Sequence, residues 1–333
     1  MKNKRITLLL CLTASLGLVG CVNNSSSQTS VSSDSSSLSS AGTSQASQAS
    51  SQSSGVSSQS SESSSQSSSQ SSSSSMSSES QSSSSSSGFN GGTYYSSIDW
   101  SQRGATLKTA LSNLIFPHTD IGYGGLYNAY KTTDVRPNGK IWDMYSSIEY
   151  TPGIDENHGN YSKEGDNYNR EHTIPQSVFN SATPMYSDLF HIYPTDSKVN
   201  GVRSNYPHGE ITGSPSYTSS NGCKLGTSDP STGYNGKVFE VIDEYKGDFA
   251  RTYFYFVTAY QTKMTSFSFP SLASNTFPSL STWAQELYLK WSKEDPVSEK
   301  EIKRNESVYS IQHNRNPFID NPEAAEKIWG NLS

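Results

Sequence analysis

Asn169-Arg170-Glu171-His172-Thr173-Ile174-Pro175 is the first of two blocks that decide how this 333-residue chain folds. The second begins 16 residues after His172 and runs Asp188-Leu189-Phe190-His191-Ile192-Tyr193-Pro194-Thr195-Asp196-Ser197-Lys198-Val199-Asn200-Gly201-Val202-Arg203-Ser204-Asn205. The first reads as a strand that ends by Pro175. In the second, Asp188 to Tyr193 reads as a short apolar strand. Pro194-Thr195-Asp196 then supplies helix-start chemistry for a helix reaching about Arg203. On a regular strand Glu171 and His172 point to opposite faces. A site using both therefore requires a segment that is twisted, bulged or leaving the strand, and Pro175 is compatible with the last. The chain has six histidines: His118, His158, His172, His191, His208 and His313. His172 stands apart by its neighbours, whereas any lone histidine reads first as structural or exposed.

Working outward, Leu107, Ala110, Leu111, Leu114 and Ile115 recur at helical spacing and predict an amphipathic helix that stops before Pro117. Lys140 to Tyr150 reads as extended, and a Gly- and Asn-rich loop follows to Tyr168. Ala250 to Lys263 (ARTYFYFVTAYQTK) reads as a buried aromatic helix, with strand as the competing assignment. Helices are expected over Trp283 to Glu294, ended by Pro296, over Ser298 to about His313, and over Pro322 to Trp329. The fold class is α+β, helix-rich, in a single domain.

The first quarter of the chain is a different polymer. Ser25 to Ser87 holds 41 serines in 63 positions, and all 37 aromatic residues fall after residue 88. A chain of Ser, Gln and Ala cannot bury enough apolar surface to offset its ordering entropy. Folding is therefore expected from about Thr93, just past Gly91-Gly92, which leaves about 240 residues for one core. This excludes a solenoid, a multi-span membrane protein and a chain of several domains. Ahead of the serines, Lys2, Lys4 and Arg5 precede a short apolar stretch, Ile6 to Leu18, too short to stay in a bilayer. Leu18-Val19-Gly20-Cys21 resembles the lipobox of bacterial lipoproteins. That resemblance implies a signal peptide over 1–20, a diacylated Cys21 as first mature residue, a lipid-anchored tether over 21–92 and a folded domain over 93–333. Two acyl chains anchor stably where one is marginal, and a coil of roughly 65 residues reaches about 45 Å. The expected location is the cell envelope, on the outer side of the cytoplasmic membrane or the cell surface. With Cys11 in the signal and Cys21 lipidated, Cys223 alone remains in the domain, so no internal disulfide can form. A glycosylated stalk or adhesin is the other reading of the serine tract.

The two blocks resemble the core of the bacterial endonuclease I family, metal-dependent nucleases of the ββα-metal (His-Me finger) class. The likeness continues through Lys246-Gly247-Asp248-Phe249-Ala250-Arg251, Arg304-Asn305-Glu306 and Asn314-Arg315-Asn316-Pro317-Phe318-Ile319-Asp320, and so spans roughly Ile98 to Trp329. It implies a ββα-metal catalytic core in which His172 is the general base and Glu171 and Asn200 hold one divalent cation. Asn205, five residues further on, is the competing asparagine. The implied cation is Mg²⁺, with Mn²⁺ and Ca²⁺ as alternatives. The implied partners are DNA and RNA, cut without sequence preference to leave 5′-phosphate ends by a monomer.

The chemistry agrees with the residue types. Imidazole, with a pKa near 6.5, suits proton abstraction at neutral pH, so activity is expected to rise between about pH 6 and 8. A hard cation held by one or two oxygen ligands stabilises developing phosphoryl charge. The net charge of −6 argues against a generic basic nucleic-acid binder, but a bound cation and a few local basic groups remove that objection. Arg170, Lys198 and Arg203 are the expected substrate-binding residues, with Lys224 as a further source of charge and Arg170 equally readable as an ion-pair partner. Asp188 and His191 are expected to support the site, and Asn314 to Asp320 to pin the last helices. A zinc site from His172, His191 and His208 lacks paired-ligand spacing. The competing function is a catalytically weak surface protein that captures DNA.

Overall fold

The computed structural model describes residues 91–330. The expected signal, Cys21 and nearly all of the expected tether lie outside the described residues. The chain enters through a 3₁₀ turn at Gly92–Tyr95 and forms α1 (Gly104–Ile115) and α2 (Leu126–Thr133). After an irregular stretch come β1 (Tyr168–His172), β2 (Ile192–Asp196) and α3 (Ser197–Arg203). A separate three-stranded antiparallel sheet follows, made of β3 (Ile211–Thr218), β4 (Lys224–Ser228) and β5 (Lys237–Glu240). The remainder is helical: α4 (Lys246–Ala259), α5 (Thr282–Glu294), α6 (Glu299–Gln312), α7 (Pro317–Asp320) and α8 (Glu323–Trp329).

The aromatic segment is the central helix, because every residue of α4 after Lys246 is buried. A helix satisfies its own backbone and can be apolar all round at the centre of a domain. α1 and α5 pack on it, and Phe254 stacks on Trp329 of α8 at 4.8 Å. At its start, Arg251 forms a forked ion pair with Glu301, Nε–Oε1 2.5 Å and Nη2–Oε2 2.8 Å. Glu301 also closes a capping box with Ser298, so one carboxylate starts α6 and fastens it to α4. Asn316 caps α7 through Phe318 N and also bonds the Arg251 carbonyl, which ties the last helices to the central one.

Two expectations are corrected. Lys140 to Tyr150 is not a strand: only Ile141 bridges, to Val135, and Asp143 draws the backbone into a turn by accepting from Tyr145 N and Ser146 Oγ. Asp188 to Tyr193 is not a strand throughout, since Asp188 caps a 3₁₀ turn at Leu189–His191 by accepting from Phe190 N. Pairing begins only at Ile192, so Pro194 and Thr195 lie within β2 and Asp196 alone caps α3, through Lys198 N and Val199 N. Pro194 is tolerated because this sheet has only two strands.

Candidate active site

β1 and β2 pair antiparallel in unbroken register, with Glu171 opposite Tyr193 and His172 opposite Ile192. Side chains on β1 therefore alternate. Asn169 and Glu171 meet α3, where Asn200 Nδ2 donates to Asn169 Oδ1 at 2.8 Å and Arg203 Nη1 donates to Glu171 Oε1 at 2.5 Å. Arg170 and His172 meet the tyrosines on the other face. The Arg170 guanidinium carbon sits 3.7 Å from the Tyr123 ring centre, and His172 stacks on Tyr186 at 5.6 Å. Glu171 and His172 do face opposite ways, with no bulge to reconcile them. They share a site because β1 beyond Tyr168, whose backbone bonds Asp155 and Asn157, is open among the described residues on the edge away from β2. A cavity of about 240 Å³ runs along that edge, lined by Tyr123, Asn169, Arg170, Glu171, His172 and Asn200 among others, and by no residue of β2.

His172 Nε2 lies 3.3 Å from the Tyr186 carbonyl. A carbonyl only accepts, so Nε2 carries the proton and Nδ1 is the basic nitrogen of the neutral ring. Burial, with neighbouring His191, lowers the His172 pKa to about 3, against the Tyr186 carbonyl. The imidazole is thus neutral across the whole physiological range. The expected rise in activity between pH 6 and 8 cannot come from this ring losing its proton.

Glu171 is buried, and burial pushes its carboxyl up to about 7 even though Arg203 and Tyr145 act in the other direction. Both of its hydrogen bonds fall on Oε1, from Arg203 and from the Tyr145 hydroxyl at 2.9 Å, which leaves Oε2 without a partner among the described residues. Asn200 uses its amide nitrogen on Asn169, and its Oδ1 has no partner among the described residues. Two hard oxygens of unlike charge, both lining one cleft, suit a cation that keeps water and phosphate in its remaining positions. No group of three or more His, Cys, Asp or Glu side chains is placed to hold a metal ion among the described residues. The zinc alternative is also poor by geometry, because Tyr145 and Tyr253 bond the two ring nitrogens of His208.

A family model described as Endonuclease I matches residues 103–323. The chain is 36% identical over 247 residues to the extracellular ribonuclease of Bacillus amyloliquefaciens, covering 71% of this chain and 78% of that protein. The extracellular ribonuclease of Bacillus subtilis (strain 168) is 33% identical over 246 residues with the same coverage. Endonuclease-1 of Buchnera aphidicola subsp. Acyrthosiphon pisum is 26% identical over 133 residues, 40% of this chain and 44% of that one. This chain belongs to the endonuclease I family. It is a nuclease, and its α+β domain is of the endonuclease I type.

The remaining predicted residues of this endonuclease I domain fall into two groups. Arg203, expected at the substrate, is 1% exposed, and each of its three nitrogens is engaged. Besides Glu171 it donates to the carbonyls of His172 at 2.8 Å, Thr173 at 2.6 Å and Tyr206 at 2.9 Å. It is placed as the brace between α3 and the end of β1. Asp188 is buried, accepting from the Tyr255 and Tyr260 hydroxyls and from Gln312. Burial alone would raise its pKa, but His118, His191, Gln312 and Tyr260 outweigh this and hold it low. Its charge thereby ties α4 and α6 to the turn before β2. His191 donates Nε2 to the Met185 carbonyl at 2.6 Å, and its ring lies 5.8 Å from that of His172.

Arg170, Lys198 and Asn205 remain open to solvent to differing degrees. Asn205 lines the cleft beyond Ser204, whereas Lys198 is half-buried on α3. Lys224 lies on β4 of the other sheet, away from the cleft. Three aromatics of the site had no signal in the sequence. Tyr145 orients Glu171, while Tyr123 and Tyr186 hold His172 and Arg170, and all three come from irregular segments or single 3₁₀ turns.

Proposed function

We propose that this nuclease hydrolyses DNA and RNA phosphodiester bonds without sequence preference, with His172 as general base and Glu171 and Asn200 as the ligands of one divalent cation. The carrying observation is the juxtaposition, in one cleft, of a neutral imidazole, whose Nδ1 can accept a proton, and two hard oxygens without a partner among the described residues. His172 Nδ1 takes the proton of the attacking water. Attack on phosphorus breaks the bond to the 3′ oxygen, so the products carry 5′-phosphate and 3′-hydroxyl ends. A bound Mg²⁺, or Mn²⁺ or Ca²⁺, would stabilise negative charge on the phosphoryl and departing oxygens. Arg170 is the substrate-facing cation. It stands on the same face of β1 as His172, held between Tyr123 and Tyr127 with Nη1 on the Tyr123 carbonyl at 3.1 Å. No carboxylate pairs with it among the described residues, and Nη2 is left for a phosphate oxygen. The names of the relatives, extracellular ribonuclease and Endonuclease-1, support RNA as one substrate and cleavage within the strand. A cation and two hard oxygens in the cleft are groups suited to phosphate, which supports cleavage directed at the backbone.

Incubation with supercoiled DNA, linear DNA and RNA should degrade all three with Mg²⁺ and none with EDTA. Full activity in EDTA, or cleavage at one sequence only, would sink the proposal. Glu171→Gln and Asn200→Ala should each raise the Mg²⁺ concentration needed for half-maximal rate, by roughly 10–100-fold. A titration unchanged in both variants would remove them from the cation site. For location, the lipobox reading supports attachment to the cell envelope through Cys21. A palmitate analogue should label the wild-type chain and not Cys21→Ala, and equal labelling would overturn that placement.

A further inference from the structure

Gly201 follows the candidate cation ligand inside α3, where glycine costs roughly 0.5–1 kcal/mol relative to alanine. Its backbone is not left-handed, so its conformation does not require glycine. Tyr161 sits directly on it: a Cβ on Gly201 would overlap the Tyr161 hydroxyl oxygen and come within 3.2 Å of Cζ. The loop that carries Tyr161 is fastened to the start of α3. Asn157 Nδ2 donates to Ser197 Oγ at 2.9 Å, Ser197 N donates to the Asn167 carbonyl at 3.0 Å, and Asn167 Nδ2 donates to the Asn160 carbonyl at 2.8 Å.

A phenol ring is thus seated against the helix turn that bears Asn200, yet it is 41% exposed. It stacks on no other ring and its hydroxyl makes no hydrogen bond among the described residues. Two lysines stand near Gly201 and Tyr161 along the chain. Lys198 lies one turn before Gly201 on α3, and Lys163 is two residues beyond Tyr161. Neither is in an ion pair among the described residues. The acids of the same loop accept hydrogen bonds locally: exposed Asp166 from Ser162 N at 2.7 Å and Lys163 N at 3.0 Å, and Glu164 from the Tyr217 hydroxyl and from Ser220 N at 3.0 Å.

An exposed aromatic ring seated on the helix turn that bears Asn200, with lysines nearby in the chain, suits the binding of single strands. Cations follow the backbone and the ring stacks a base. We propose that Tyr161 stacks an unpaired nucleobase of the strand whose phosphate enters the Glu171–His172–Asn200 cleft, so that the enzyme favours single-stranded nucleic acid. A base within a duplex has both faces covered by its neighbours and cannot offer one. The proposal rests on the nuclease reading above.

The test uses the full chain with Mg²⁺ and matched single-stranded and duplex oligonucleotides. Tyr161→Ala should raise KM for the single strand roughly tenfold, with kcat and the duplex KM unchanged. Tyr161→Phe and Tyr161→Trp should keep the wild-type KM, because stacking needs the ring and not the hydroxyl. An unchanged single-strand KM in Tyr161→Ala overturns the stacking contact, as does a loss in Tyr161→Phe equal to that in Tyr161→Ala. A wild-type chain that cleaves neither substrate would instead overturn the nuclease reading, and this proposal with it.

Discussion

His172→Ala is expected to lower kcat by about 10²–10⁴-fold, the range for removing a positioned general base. Nucleic-acid affinity should fall only slightly, because Arg170 and the cation ligands stay in place. The geometry makes the expectation specific. His172 Nε2 is held by the Tyr186 carbonyl and the ring is clamped against Tyr186, so Nδ1 has one orientation and no other imidazole can take its place. His191 is the nearest other imidazole, at 5.8 Å between ring centres, and its Nε2 is bonded to the Met185 carbonyl inside the core. Excess Mg²⁺ should not restore the rate, in contrast to Glu171→Gln, where it should. Single-turnover cleavage at saturating metal reads this directly. A variant within fivefold of wild type would remove His172 from the proton transfer.

The second large effect is on folding. Arg203→Met should lower the unfolding free energy by about 3–5 kcal/mol, the cost of breaking a buried ion pair from one side. The substitution leaves the Glu171 carboxylate buried with only Tyr145 as partner. It also takes donors from the carbonyls of His172, Thr173 and Tyr206. Urea denaturation of the single and double variants separates the two contributions. In a Glu171→Gln background the same substitution should cost markedly less, because the uncompensated charge is gone and only the carbonyls remain unpaired. Equal costs in both backgrounds would show that the ion pair contributes nothing. A cost below about 1 kcal/mol, as for an exposed pair, would show that Arg203 is not the brace described above.

Legibility in the sequence followed how local the determining physics is. The helices at Gly104–Ile115, Lys246–Ala259, Thr282–Glu294, Glu299–Gln312 and Glu323–Trp329 follow expectations drawn from spacing and punctuation, because cap and periodicity lie within each segment. The sheet β3–β5 was hidden in a Gly-, Ser- and Pro-rich stretch. β3 exposes nearly every residue and so shows no alternation of apolar and polar positions. The turn at Leu189–His191 reads as strand in the sequence because the pattern Leu-Phe-His-Ile-Tyr suits either conformation, and the side chain of Asp188 decides between them. At the site, the types and order of Glu171, His172 and Asn200 were legible because they sit in short motifs. The depth of Arg203 was not: a cation near a phosphate site reads as a phosphate ligand until its counter-ion is seen beneath it.

The open edge of β1 has a consequence for how such a site can be tuned. A single extended backbone separates proton handling, on the tyrosine-lined face, from cation handling, on the face toward α3. The partition is one strand thick, and Arg203 links its two sides by bonding both Glu171 and the His172 carbonyl. Changes at Tyr123 or Tyr186 alter the surroundings of the imidazole without touching the oxygens opposite, and changes at Asn200 do the reverse. Basicity and metal choice are thereby separable at those positions and coupled at Arg203.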